Sequence, residues 1–297
     1  MLPQMTAFKL RNKLFLILLI IPFLLTAQDK SLVILHFNDT HSRIEPYPLN
    51  DTLFANKGGV VRQETYIEEV RKESKNVFVF YSGDMVQGTP YFTLFGGEVE
   101  TAVANEMKTT ASCLGNHEFD NGLDFLAQLI RRANFPFITT NFDFTGTPVE
   151  GLTKKYLIVK KDGLKIGIIG LTIDPEGLVA KKNFEGVKYL DPLESANQTA
   201  AYLKKEKKCD LVICLSHLGY YSEGKNNDDI NLAKKRGDIN IAKNSRNIDI
   251  ILGGHTHTFL QQPDRELNLD GKEVLIQQTG AYGVNVGRVD VVMEKVK

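Results

Sequence analysis

No tryptophan, three cysteines and six histidines occur among the 297 residues, and neither sign of charge is in excess. The 36 Lys and Arg balance the 36 Asp and Glu, so no general field attracts a nucleic-acid polymer or an anionic membrane. Nucleic acid is excluded as the expected partner. The run Lys204-Lys205-Glu206-Lys207-Lys208 reads as the solvated end of a helix, where positive side chains oppose the macrodipole. Cys113, Cys209 and Cys214 are odd in number and scattered through apolar runs, which excludes a disulfide framework. An extended strand between Cys209 and Cys214 would also hold them too far apart to bridge. Internal repeats, low-complexity tracts and interdomain linkers are absent as well.

Long apolar runs are lacking too. The longest lies at residues 14–25, behind Lys9, Arg11 and Lys13, and it falls short of the roughly 20 residues a membrane-spanning helix needs. Leu25-Thr26-Ala27 supplies a small-residue cleavage site before Gln28. Residues 1–27 are therefore expected to be a signal peptide, and residues 28–297 to act outside the cytoplasm, periplasmic or secreted, with no membrane attachment after cleavage. No cysteine near that site points to a lipid anchor.

What remains is an ordinary globular composition, 42% hydrophobic and 24% charged, enough for one large core. Strand patterns at 31–37, 77–81, 111–114 and 137–140 alternate with helical patterns at 59–73, 97–107 and 123–133. This alternation predicts an α/β fold with a largely parallel first sheet. From residue 154 the pattern changes: runs at 156–160 and 165–172 flank Asp162-Gly163, a strong hairpin turn signal. A second sheet with antiparallel pairs is expected here, containing strands at 211–215, 248–252, 273–278 and 287–293, with a helix at 193–207.

Five of the six histidines fall in polar clusters directly after predicted strands: Asn38-Asp39-Thr40-His41, Gly115-Asn116-His117-Glu118, Ser216-His217-Leu218-Gly219 and Gly253-Gly254-His255-Thr256-His257. Ser82-Gly83-Asp84 follows another strand. In open α/β sheets ligands bind at the carboxyl ends of strands, so the clusters should converge. Imidazole with carboxylate is a mixed N/O donor set suited to Zn, Mn or a similar divalent ion rather than to Ca. Seven candidate ligands are too many for one tetrahedral site with an open position, but suit two ions sharing a bridge. Asp39 and His41 are two residues apart, as are His255 and His257, and an extended segment would put each pair on one side. His36 lies inside a strand and is expected to be buried or to support the ligands from behind. Ser82 and Ser216 lack a general-base arrangement and read as turn residues.

The stretches "ILHFNDTHSR", "YSGDMVQGTP", "CLGNHEFDNGLD", "IGIIGLT", "LSHLGY" and "ILGGHTHT", in this order, resemble a calcineurin-like metallophosphoesterase, specifically the catalytic domain of the 5′-nucleotidase family. The resemblance implies a four-layer α/β/β/α sandwich of two mixed β-sheets, with two metal ions at the strand ends. Asp39, His41 and His257 would hold one ion, Asn116, His217 and His255 the other, and Asp84 would bridge them. Asn116 and His117 would contact the phosphoryl group, with Asp120 orienting His117. An imidazole held by a carboxylate keeps one tautomer and can stabilise phosphoryl oxygens or protonate a leaving alkoxide. Glu118 should point elsewhere, into local hydrogen bonding. The implied reaction is direct in-line attack of a metal-bound hydroxide on a phosphate monoester, a small molecule and foremost a 5′-nucleotide. Nucleotide sugars, cyclic nucleotides or another phosphate ester are the alternative substrates within the same fold.

Family members continue into a second domain that supplies base-stacking aromatics and phosphate-binding arginines. This sequence is expected to lack that domain, and so to act alone or with a separate C-terminal-domain-like polypeptide.

Overall fold

Residues 30–221 and 237–293 are described by a computed structural model, and the expected signal peptide lies outside them. In chain order the elements are β1 (Lys30–Phe37), α1 (Val60–Glu73), β2 (Val77–Ser82), α2 (Pro90–Phe95), α3 (Glu98–Glu106), β3 (Ala111–Cys113), α4 (Gly122–Arg132), β4 (Phe137–Ile138) and β5 (Phe142–Asp143). They continue with β6 (Leu157–Lys161), β7 (Leu164–Thr172), β8 (Lys188–Tyr189), α5 (Pro192–Lys205), β9 (Leu211–His217) and α6 (Asp238–Asn244). The last are β10 (Ile250–Leu252), β11 (Asp264–Leu267), β12 (Glu273–Gln277) and β13 (Gly287–Met293).

Alternation along the strands sorts side chains into three apolar cores. Val33, Leu35 and Phe37 of β1 face the helical side and pack with Ile67 and Val70 of α1, Ala104 of α3 and Leu126, Leu129 and Ile130 of α4. Leu32 and Ile34 face the other way, and with Phe78 and Phe80 meet Ile166, Ile168, Ile213 and Leu215 of a second sheet. Behind that sheet, Ile169, Val212 and Cys214 pack on Ala196, Ala200 and Leu203 of α5 and Ile241 of α6. The layers are thus α/β/β/α. All three cysteines are free and buried.

The first sheet runs β13-β1-β2-β3-β4 and the second β11-β12-β10-β9-β7-β6. The antiparallel pairs expected in the second sheet are present, β6 with β7 and β11 with β12, but the expected membership of one strand is corrected. Strand β13 belongs to the first sheet, antiparallel to β1 from Lys30↔Met293 to His36↔Gly287, not to the second. Its one-sided pattern of Val289, Val291 and Met293 suits the inter-sheet core from either sheet, so periodicity could not choose. The interior of the second sheet is parallel, β7-β9-β10-β12, with antiparallel pairs only at its edges.

The strand expected at 137–140 stops at Ile138, because the next residues turn to the second sheet: Thr139 N–H bonds Lys154 O and Thr140 N–H bonds Gly170 O. Periodicity also missed α2, which buries no side chain, and the charged edge strand β11. The Asp162-Gly163 hairpin is as expected, with both residues at positive φ (49° and 70°). Helix α5 starts at Pro192 behind Asp191, whose carboxylate accepts the Glu194 N–H at 2.7 Å.

His36 is fully buried, with no hydrogen-bond partner for either ring nitrogen, and burial lowers it to about 3. It is a neutral core residue opposite Gly287, where any Cβ would collide with the imidazole.

Candidate metal centre

The loops after β1, β2, β3, β9 and β10 meet at one end of the two sheets. Asp39, His41, Asp84, Asn116 and His217 are buried there, and His117, His255 and His257 are half-buried. Three overlapping sets, Asp39/His41/His257, His41/Asp84/His117 and Asp84/His217/His255, each place their candidate ligand atoms within 4.8 Å of one another. Asn116 Oδ1 joins them, 3.0 Å from His255 Nδ1. All seven residues nominated as ligands from the sequence are therefore gathered in one place.

Their contacts fit a cationic centre better than a hydrogen-bonded one. His217 Nδ1 donates to Ser82 O at 2.6 Å, which fixes the tautomer and leaves Nε2 as a lone pair facing inward. That Nε2 is buried without a well-formed hydrogen bond and lies 3.0 Å from Asp84 Oδ2 as an ion pair. His41 Nε2 and His257 Nε2 are likewise 3.0 Å apart, with Asp39 Oδ1 at 3.3 Å from the latter. Nitrogen and oxygen atoms converging on one another, from imidazole, carboxylate and amide, are the donor set of a divalent transition-metal site.

Electrostatics agrees. Burial lowers His41, and lowers His255 to about 4, so both are neutral imidazoles at pH 7. Burial opposes charge on His217 too, but the carboxylates of Asp84 and Asp39 override it and raise the group to about 10. A positive charge is held at that spot by two buried acids.

The extended backbone expected for the paired ligands is not found. Asp39, His41, Asp84, His255 and His257 all have positive φ, between 49° and 76°, so neither Asp-x-His nor His-x-His is a strand-like segment. His257 joins Asp39 and His41, whereas His255 joins Asp84 and His217. Left-handed backbone at non-glycine residues is costly and is typical of functional loops over-determined by their surroundings. Here the determinants are cross-loop bonds: Asp39 N–H to Gly83 O, His41 N–H to Asp84 O, and His255 N–H to Asp39 Oδ2 at 2.9 Å. The glycines serve close approach instead. A Cβ at Gly254 would collide with Ser82 O, and one at Gly115 with Asp84 Oδ1.

His117 has a carboxylate partner of its own. Its Nδ1 is 2.6 Å from Asp120 Oδ2, which raises the imidazole and turns Nε2 to the cleft. Its backbone N–H donates to Asp84 Oδ1 at 2.9 Å, tying the two loops.

Two further acids stand behind the site. Glu118, fully buried, does engage in local hydrogen bonding as expected, but across loops: it accepts the N–H groups of Asp84 (3.0 Å), Met85 (2.8 Å) and Gly115 (2.5 Å). Burial raises it to about 6, still below neutrality, so at pH 7 it remains the common acceptor for two loops. Glu118→Gln puts an amide NH₂ among those donors; an expected loss of roughly 2–4 kcal/mol in unfolding free energy follows, with weakened metal retention, read by denaturant titration and elemental analysis. Asp238, which the sequence did not single out, is also fully buried, pairs with Ser216 Oγ and sits against Gly253, where a Cβ would collide with its Oδ2. It braces the two loops that carry His217 and His255. Ser82 Oγ in turn bonds Leu252 O at 2.7 Å, tying the end of β2 to the end of β10 across the two sheets rather than closing a turn.

The family model for calcineurin-like phosphoesterases matches residues 32–259. The chain belongs to the calcineurin-like phosphoesterase family. Among its relatives is protein 5NUC of Lutzomyia longipalpis, 33% identical over 280 residues that cover 88% of this chain and 46% of the relative. The 5′-nucleotidase of Rattus norvegicus is 30% identical and is covered to 48%, against 92% of this chain. The crystal structure of a 5′-nucleotidase precursor from Thermus thermophilus superposes with a TM-score of 0.77 at 31% identity, covering 89% of this chain and 52% of that one. This phosphoesterase chain thus spans about half the length of the curated relatives it matches.

Around the clustered ligands lies a cleft of about 400 Å³, open to one side and lined by His41, Asp84, Gln87, Gly88, Asn116, His117, His255, His257 and Tyr282. A larger groove, between α1 and α3, is apolar with glutamates at its rim and contains none of the family's site residues.

Proposed function

We propose that this chain hydrolyses phosphate monoesters, foremost 5′-nucleotides, at a centre for two divalent ions of the Zn or Mn type. The observation that carries the reading is the overlap of the ligand sets on Asp84, with His217 Nε2 and Asp84 Oδ2 3.0 Å apart and no well-formed hydrogen bond to that nitrogen. Asp39, His41 and His257 would hold one ion and Asn116, His217 and His255 the other, with Asp84 between them. When bound, the ions supply Lewis acidity towards the phosphoryl oxygens and lower the pKa of water.

The chain's own residues do the rest. Asn116 and His117 face the cleft and receive the phosphoryl group, and the buried Asp39–Asp84 scaffold fixes the approach of water opposite the ester oxygen. The water oxygen bonds to phosphorus as the ester P–O bond breaks, and the proton it sheds passes to solvent, from which His117 is afterwards reprotonated. The proton on His117 Nε2 passes to the leaving alkoxide, while Asp120 holds Nδ1–H and balances the imidazolium. Among the described residues that line the cleft, no serine or threonine hydroxyl is placed to form a phospho-enzyme.

A site after the signal peptide would be periplasmic or secreted. A second reading, in which a separate polypeptide completes the substrate site, is favoured by the exposed Phe259 and by exposed Leu53, which precedes the Phe54 ring stacked on Phe259.

The test is phosphate release from AMP and from an aryl phosphate by purified residues 28–297, stripped with chelator and then supplied with Mn²⁺. Metal-restored release from both is expected. Release from the aryl ester alone moves the reading to another ester or to the two-polypeptide form, and no release from any ester with metal bound rules it out.

A further inference from the structure

Beside the metal-facing imidazoles lies a chain of neighbouring aromatic rings. Tyr282 lines the cleft, its centroid 5.7 Å from the ring of His41 and 5.4 Å from that of His257. Tyr47 follows at 6.3 Å, Phe54 at 5.2 Å from Tyr47, and Phe259 at 5.8 Å from Phe54. The Arg43 guanidinium lies 3.8 Å from the Tyr47 ring centroid and covers one face of it. Tyr282 is half-buried, and its backbone is left-handed, φ 60°, which is unfavourable for a bulky residue. Its N–H donates to Asp39 O at 2.7 Å, so the loop that bears a ligand candidate also fixes this ring. Strain of this kind, on a ring that points into a reactive cleft, marks a placed side chain rather than a packing accident.

We infer that Tyr282, backed by Tyr47, is a stacking platform for an aromatic ring carried by the leaving alcohol, a nucleobase or aryl ring. The inference rests on the phosphoesterase reading and deepens it: this chain supplies a ring-selective subsite of its own. An ester phosphorus held by the ligand cluster leaves its alcohol portion in the cleft that Tyr282 lines, and Tyr282 is the aromatic residue of that lining besides the histidines. Stacked and edge-on rings attract at the centroid spacings seen among these rings. Base stacking on one aromatic side chain strengthens binding by about tenfold or more.

The test compares p-nitrophenyl phosphate with glycerol 2-phosphate in Tyr282→Asn, since asparagine tolerates left-handed backbone and keeps the N–H to Asp39. The ratio of kcat/KM for the aryl over the ring-less ester is expected to fall about tenfold, through KM, and to return in Tyr282→Phe. Adenosine, which has no phosphate, provides a readout without turnover: calorimetry on the Mn²⁺-supplied protein should show about tenfold weaker binding in Tyr282→Asn than in wild type. Parallel losses on both esters with unchanged adenosine affinity would overturn the subsite, as would failure of wild type to bind adenosine. Adenosine binding that depends on Tyr282, in a protein releasing phosphate from no ester, would keep the subsite and remove the phosphoesterase reading instead.

Discussion

His117→Ala is expected to cut phosphate release by about a thousandfold while both ions stay bound, as measured by turnover beside elemental analysis. A positioned proton donor contributes roughly 10²–10⁴ to such a step, and no described neighbour is placed to replace it. Its Nδ1 is engaged by Asp120 at 2.6 Å, and the loop is tied to Asp84 by the backbone N–H, which alanine retains. Loss of metal together with activity would assign His117 to the ligand set instead. The partner variant sharpens this. Asp120's hydrogen bond raises His117, so the protonated donor persists to higher pH than in an isolated imidazole. Asp120→Asn removes that support, the imidazolium loses its proton at lower pH, and the alkaline limb of the pH–rate profile should move acidward. A profile that stays in place would show that another group sets it.

Asp84→Asn should have the second large effect, on the ions themselves. Asparagine keeps the shape, tolerates φ 51° and can still accept the His117 N–H, so the loops should persist. The charge is what goes. Asp84 is shared by two of the ligand sets that hold the histidines, and its carboxylate is the nearer of the two acids raising His217. With it neutral, the larger of the two carboxylate contributions that oppose burial is gone, and His217 drops. Changing groups that merely support a ligand typically costs 10- to 100-fold in metal affinity, so loss of this carboxylate should exceed about a hundredfold. Elemental analysis after dialysis should find less than one ion per chain, and Mn²⁺ in excess should restore little turnover. Two retained ions would remove Asp84 from the bridging role.

Much of this site was legible because its residue types are scarce. Six histidines with five of them after strands is an unusual distribution, and the alternation of elements by itself brings the strand ends together. Backbone conformation was not legible. Asp39, His41, His255 and His257 were assigned to extended segments, whereas all four are left-handed, and what holds them so are bonds from loops up to 216 residues away in sequence. The supporting acids were hidden for a related reason. Glu118 reads as a local hydrogen-bonding group in "GNHEFD", with nothing to say that its donors lie on two loops, and Asp238 stands in none of the clusters that follow strands. Only burial against backbone donors and Ser216 gives them their tasks. Sheet membership failed at β13 because a half-buried strand carries no mark of which neighbour it will find.

That strand has a consequence for how the molecule comes into being. Strand β1 pairs with β13, Asn38 accepts the Thr279 N–H, and Tyr282 donates to Asp39. The first loop of the centre is therefore clasped by a segment of this chain that leaves the ribosome some 240 residues later. Until that segment arrives, β1 has an unpaired edge and the ligand loop has no lid over its carbonyls. Contacts that span so much of the polypeptide are slow to form, because the intervening chain must be closed into a loop first. Maturation of the metal centre should accordingly be a late event of folding, and ions offered during synthesis should find no finished seat until β13 has zipped home.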